Sequence, residues 1–155
     1  MINLKEPFEM DEKEVDDWLT ALRSGEYNQG LGKLFSHSDF RRPIYCCLGV
    51  YGVAVKKIDN SELHNMCVFD ESFLDIPEVL LCNDTADSRN TWAESLMSLN
   101  DSPLTYTKYT EFRKYNDNIK FPKLPKRNNF IKYNFNDIAD FIEMNVTKIK
   151  KDEVK

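Results

Sequence analysis

Val15, Trp18, Leu19 and Leu22 fall at positions i, i+3, i+4 and i+7, with Glu12, Lys13, Asp16 and Asp17 off that stripe. This is the pattern of one amphipathic helix, and it predicts a helix from about Asp11 to Ser24. Asp11 and Glu14 have the spacing of a capping box with Asp as the cap, and Gly25 stands where a glycine ends a helix. Behind Pro43, the run Ile44 to Val55 is apolar around nearly its whole circumference. It predicts a central helix, with a buried strand as the competing reading because Tyr45, Val50, Val53 and Val55 favour sheets. Gly49 and Gly52 each lower helix propensity by about 1 kcal/mol, and close approach of another backbone is the expected compensation. The short apolar run Met66 to Phe69 reads as a strand, and Pro77 opens a short helix through Leu80.

Ser88 to Leu99 reads as a helix with Trp92, Leu96 and Leu99 on one stripe. It should stop at the turn formers Asn100-Asp101-Ser102-Pro103. From Ser102 to Phe130 the chain is rich in Tyr, Lys, Asn and Pro, so it reads as an insert-like connection holding one short helix at Lys108 to Tyr115. A last helix begins near Asn134 or Asn136 and carries Ile138, Phe141 and Ile142. The charged stretch Lys148 to Lys155 should fray. The fold class that follows is mainly α, with α+β as the alternative: one compact helical core over residues 1–147, a small peripheral β element, and a charged tail at 148–155. Trp18, Leu22, Cys47, Leu48, Val50, Leu96, Ile138 and Phe141 are the expected core.

The chain has 155 residues, 41% of them hydrophobic and 30% charged. That length suits one domain with a self-sufficient core. A net charge of −5 makes duplex DNA an unexpected partner. The candidate local basic patches are Arg41-Arg42 and Lys120 to Lys132. No apolar run approaches a membrane span, and Met1 to Phe8 holds no apolar stretch of signal-peptide type. The expected location is therefore the cytoplasm, without membrane association. The four cysteines (Cys46, Cys47, Cys67 and Cys82) show no CxxC spacing, and His37 and His64 have no metal-ligand spacing. Buried reduced thiols are expected, with no metal and no cofactor.

Three stretches carry a resemblance: Trp18 to Gly30 (WLTALRSGEYNQG), Tyr45 to Val55 (YCCLGVYGVAV) with Leu74 to Leu81 (LDIPEVLL), and Leu96 to Ser102 (LMSLNDS) with Tyr133 to Glu143 (YNFNDIADFIE). In this order they resemble a group of short proteins common in tailed-phage genomes and prophages. In that group the Leu-Asn-Asp turn runs almost directly into the last helix, whereas here Ser102 to Phe130 intervenes. The resemblance implies a small cytosolic accessory protein.

Arg23, Tyr27 and Gln29 form one candidate ligand cluster at the end of the first helix: Arg for a phosphate or carboxylate, Tyr for stacking, Gln for an amide or base. The same residues also suit packing, with Arg23 on helix carbonyls and Gln29 bonding a buried loop. Asn100 and Asp101 are a second candidate pair, for binding or as a helix cap. Tyr109, Arg113, Lys126 and Arg127 mark a candidate surface on the insert, where aromatics interleave with cations. No catalytic residue is assigned. A nucleophile at Cys46-Cys47 would need His37 or His64 brought close in space as its base, and Leu48, Gly49 and Val50 suggest apolar surroundings that make a thiol inert. Two functions remain in view. The first is a non-catalytic accessory protein that binds a host protein or a small nucleotide-like ligand in host takeover or counter-defence. The second is a small hydrolase acting on a nucleotide or phosphoester, with Arg23, Asn100 and Asp101 in its site.

Overall fold

The computed structural model describes residues 8–70, 72–73, 75–81, 92–101, 104–105, 120–121, 126–127, 130–131 and 133–150. Within them the architecture is α+β. Strand β1 (Phe8–Asp11) leads directly into helix α1 (Glu12–Arg23). Asp11 caps α1 by accepting from the Glu14 amide at 3.2 Å, and Gly25 follows the helix at φ +78°. The capping box is not reciprocal, because the Glu14 side chain turns to other partners described below.

The apolar run after Pro43 divides between the two readings that its sequence allowed. Pro43–Tyr45 forms β3, antiparallel to β2 (Phe35–His37), and only from Cys47 does helix α2 begin (Cys47–Val50). It widens into a π-helical turn over Tyr51–Val55. Tyr45 has to stay extended, since its amide donates to Asn28 O and its carbonyl accepts from Gly30 N. Gly49 explains its own presence: a Cβ there would lie 1.7 Å from the carbonyl oxygen of Leu34. At Gly52 the close neighbour is a side chain, the ring of Phe69.

A short helix α3 (Asn60–Leu63) and a 3-10 turn (Glu78–Leu80) lead towards α4 (Trp92–Asp101). Met66 to Phe69 is not a strand. Phe69 makes one isolated bridge to Leu81, and the Met66 carbonyl is taken by Leu34 N. Helix α4 runs past Leu99 and keeps Asn100 and Asp101 in its last turn, so neither stands at the start of a final helix. Strands β4 (Leu104–Thr105), β5 (Lys126–Arg127) and β6 (Phe130–Ile131) form an antiparallel sheet in the order β4-β6-β5. The expected helix at 108–115 lies outside the described residues.

Helix α5 (Phe135–Asn145) has a full capping box. Asn134 accepts from the Asp137 amide and donates its own amide to the Asp137 carboxylate. Its chain continues into β7 (Val146–Ile149), which pairs in parallel with β1, Met10 opposite Lys148. The start of the charged tail is therefore ladder rather than frayed end: β1 and β7 already sit together because α1 and α5 pack side by side.

Trp18, Leu22, Cys47, Leu48, Val50, Leu96, Ile138 and Phe141 are all buried in one cluster. The Trp18 indole N–H is satisfied there by Cys47 O at 3.0 Å, and its ring meets Tyr51 edge-on. Among the described residues, the insert is tied to this core at Lys120 and Phe121. Phe121 packs on Phe141 with ring centroids 5.4 Å apart, and Asn145 bonds both the N–H and the C=O of Lys120.

Candidate functional site

The polar centre of the molecule is Asn100, buried at the end of α4. Its amide nitrogen donates to Gly30 O and to Asp101 Oδ1, both at 2.8 Å. Its amide oxygen accepts from Gln29 Nε2 at 3.1 Å and from Cys47 N at 3.2 Å. An amide can donate two and accept two hydrogen bonds, so this one is filled. Gln29 reaches past it to Tyr133 O at 3.1 Å, and Asp101 Oδ1 accepts from Gly32 N at 2.9 Å. Four pieces of chain are thereby locked together: the loop after α1, the start of α2, the end of α4 and the approach to α5. Gly32 takes φ +76°, which lets its N–H face Asp101.

Of the five residues singled out in the sequence, the structure thus joins Gln29, Asn100 and Asp101. Arg23 is not with them. It lies across α5, 2.7 Å from Asp140 and 3.3 Å from Glu143, rather than on helix carbonyls. Tyr27 is half-buried against Tyr45, edge-to-face at 5.3 Å. On the insert, Tyr109 and Arg113 lie outside the described residues, and of Lys126 and Arg127 only the backbone strand is described.

Cys46 and Cys47 are buried, and burial pushes the Cys46 thiol up to about 12 and the Cys47 thiol well above its ordinary value. The Cys46 sulfur accepts from Gly49 N at 3.4 Å and caps α2, while Cys47 Sγ points at Leu96 O, 3.6 Å away. Their thiols stay protonated past the pH at which a free thiol ionises, so they should be poor nucleophiles in the folded protein. Cys67 is exposed. Iodoacetamide at pH 8 should modify Cys67 within minutes and leave Cys46 and Cys47 untouched until denaturant is added, as read by peptide mass mapping. Rapid labelling of Cys46 under native conditions would show that its surroundings are open.

A second polar cluster escaped the sequence reading. Tyr51, fully buried, donates to Glu14 Oε2 at 2.8 Å, and Lys56 pairs with Glu14 Oε1. Burial, followed by the Glu14 charge, raises the Tyr51 phenol above its ordinary range. The only signal in the sequence was Glu14 in the first turn of α1, where capping explains it equally well. Beside this cluster opens a cleft of roughly 520 Å³, floored by Met10 and Ile76 and rimmed by Glu9, Asp11 and Asp75. Among the described residues no group of His, Cys, Asp or Glu is placed to hold a metal ion, and no helix is long and apolar enough to cross a membrane.

The model of a family described as a domain of unknown function, DUF8296, matches residues 10–146. The chain belongs to that family. In this DUF8296 member the matched stretch begins within β1 and ends on the first residue of β7, so it takes in the Asn100 network, the Glu14 cluster and the insert. No curated protein and no solved structure matches the chain.

Proposed function

We propose that this DUF8296 protein is a non-catalytic accessory protein of phage type, which works in the host cytoplasm by binding a host protein or a small nucleotide-like ligand. One observation carries the reading: the polar side chains that the sequence singled out around Asn100 and Arg23 are engaged by the fold. Gln29, Asn100 and Asp101 close on each other and on backbone, and Arg23 is held on α5 by Asp140. A hydrolase built on Arg23, Asn100 and Asp101 would need the guanidinium turned towards the other two. The phage-type setting rests on the resemblance carried by the LRSG, CCLGV and IADFIE stretches.

The test is affinity capture from a bacterial host, with mass spectrometry of both proteins and small molecules, using the intact chain and its Arg23→Ala variant. Arg23 and its partners are largely exposed, so the substitution should cost less than about 1 kcal/mol in urea unfolding, and less again at high salt. The captured partner should be the same with both baits. Turnover of a nucleotide or phosphoester by the purified protein, abolished by Arg23→Ala at unchanged stability, would replace this reading with the enzymatic one.

A further inference from the structure

The hairpin β2-β3 ends in a loop whose residues are poorly suited to the fold that they serve. Ser38 O accepts from Arg41 N at 2.8 Å, Ser38 N donates to Arg42 O at 2.9 Å, and Ser38 Oγ accepts from Arg42 N at 3.2 Å. Between them lie Asp39, Phe40 and Arg41, a three-residue hairpin loop. The last residue of such a loop takes the left-handed conformation and is ordinarily glycine. Arg41 occupies that position at φ +59°. Before it, Phe40 is 87% exposed, the most accessible large hydrophobic side chain among the described residues. One exposed aromatic needs no explanation on its own. A largely exposed aromatic beside a cation in a glycine conformation is a different matter, since neither side chain serves the turn.

The charges around the loop point to the occupant. Lys13, Arg23, Lys56 and Lys148 are each paired with a carboxylate. Arg41 and Arg42 have no carboxylate partner among the described residues, and both are exposed. The rings of His37 and His64 lie beside the same hairpin, their centroids 5.7 Å apart and their planes tilted by 51°, and both are exposed too. In a protein of net charge −5 this is a local cationic and aromatic point. Arg and aromatic side chains are the residue types that most often dominate protein interfaces.

We infer that the Asp39-Phe40-Arg41-Arg42 loop is the docking surface for an acidic segment of a partner protein, with Phe40 as the apolar anchor and the two guanidinium groups on the partner's carboxylates. This rests on the partner-binding reading above and locates the contact within it.

The test places a photo-reactive benzoylphenylalanine at position 40 of the full chain in a bacterial host, and in a parallel chain at Met144, an exposed position on α5. Position 40 should crosslink to one protein segment rich in Asp and Glu. That segment, made as a peptide, should bind the wild-type protein in a salt-sensitive manner. Phe40→Ser and Arg41→Gly should each weaken this binding about tenfold or more. Arg41→Gly should at the same time raise the melting temperature by about 2–4 °C, because glycine relieves the positive φ. Crosslinks from position 144 but not from 40 would overturn the loop assignment and leave partner binding in place. No specific crosslink from either position would count against both. Crosslinking of position 40 to nucleic acid, equal affinity of Phe40→Ser, or a fall in melting temperature for Arg41→Gly would each overturn the proposal.

Discussion

Gly49→Ala should be the most damaging single-methyl change in this protein. The added Cβ would stand 1.7 Å from Leu34 O, 2.6 Å from its carbonyl carbon and 3.1 Å from its Cα. Those are backbone atoms, so no rotamer change clears the way. Neither side can withdraw cheaply. Leu34 is fully buried and its N–H is bonded to Met66 O at 2.7 Å, while Lys33 O accepts from Cys46 N. On the other side, α2 is held at its first residue by Trp18 on Cys47 O and by Asn100 on Cys47 N. Separation would break these bonds and open the core around Trp18. The expected cost exceeds about 4 kcal/mol, the range reached only when a core is forced apart. In practice the variant should be largely unfolded by circular dichroism or insoluble on expression. Gly52→Ala is the control. Its Cβ meets the tip of the Phe69 ring at 2.9 Å and Leu63 Cδ1 at 3.3 Å, both side chains that can shift. It should cost about 1–3 kcal/mol, as overpacking usually does. A Gly49→Ala protein within 1 kcal/mol of wild type in urea would show that the Leu34 backbone is not rigidly held.

The contrast between these two glycines also shows what a sequence can and cannot say. Both were visible as residues needing compensation inside an apolar run, and close approach of a backbone holds for Gly49 but not for Gly52. Local signals were legible where one stretch of chain decides the outcome: the Asp11 cap and Gly25 stop of α1, the Asn134 cap of α5, and the apolar stripes that converge on Trp18. The run 44–55 was ambiguous because an all-apolar stretch carries no period. Its division into β3 and α2 is set by Asn28 and Gly30, which hold Tyr45 extended from outside the run. The β1-β7 pairing was invisible for a similar reason. It joins strands at opposite ends of the described chain, and only the packing of α1 on α5 brings them together.

The candidate site divides along the same line. Residue type marked Gln29, Asn100 and Asp101 as polar groups worth noticing, but not that they belong to one network, because the bonds span 69 to 71 positions. Arg23 was grouped with Gln29 by nearness in sequence, and the geometry separates them: Arg23 ends on the outer face of α5, whereas Gln29 turns inward. Sequence neighbours share a site only if the backbone between them keeps both side chains on one side, and Gly25 at φ +78° reverses the chain in between.

Asn100→Asp tests whether that network is structural. The change keeps shape and acceptor but removes both donors. The oxygen replacing Nδ2 would face Gly30 O and Asp101 Oδ1, the two groups that the amide now satisfies at 2.8 Å. Ionised, the new carboxylate would be buried against a second carboxylate. Protonated, it could still donate to only one of the two oxygens. Either way a buried group is left unsatisfied, and the expected cost at pH 7 is about 3–5 kcal/mol. The burial and the neighbouring Asp101 charge would raise the folded-state pKa of the new group above its unfolded value near 3.9. A raised acid favours the folded state at low pH and loses that advantage as pH rises through the folded pKa. The destabilisation relative to wild type should therefore be smaller at pH 4.5 than at pH 7, even though both proteins weaken in acid. Paired urea titrations at the two pH values read the difference directly. A penalty below 1 kcal/mol, or one that grows in acid, would mean that Asn100 is not the amide that holds these four segments together. A folded Asn100→Asp protein that loses partner capture would place the residue at a binding surface instead.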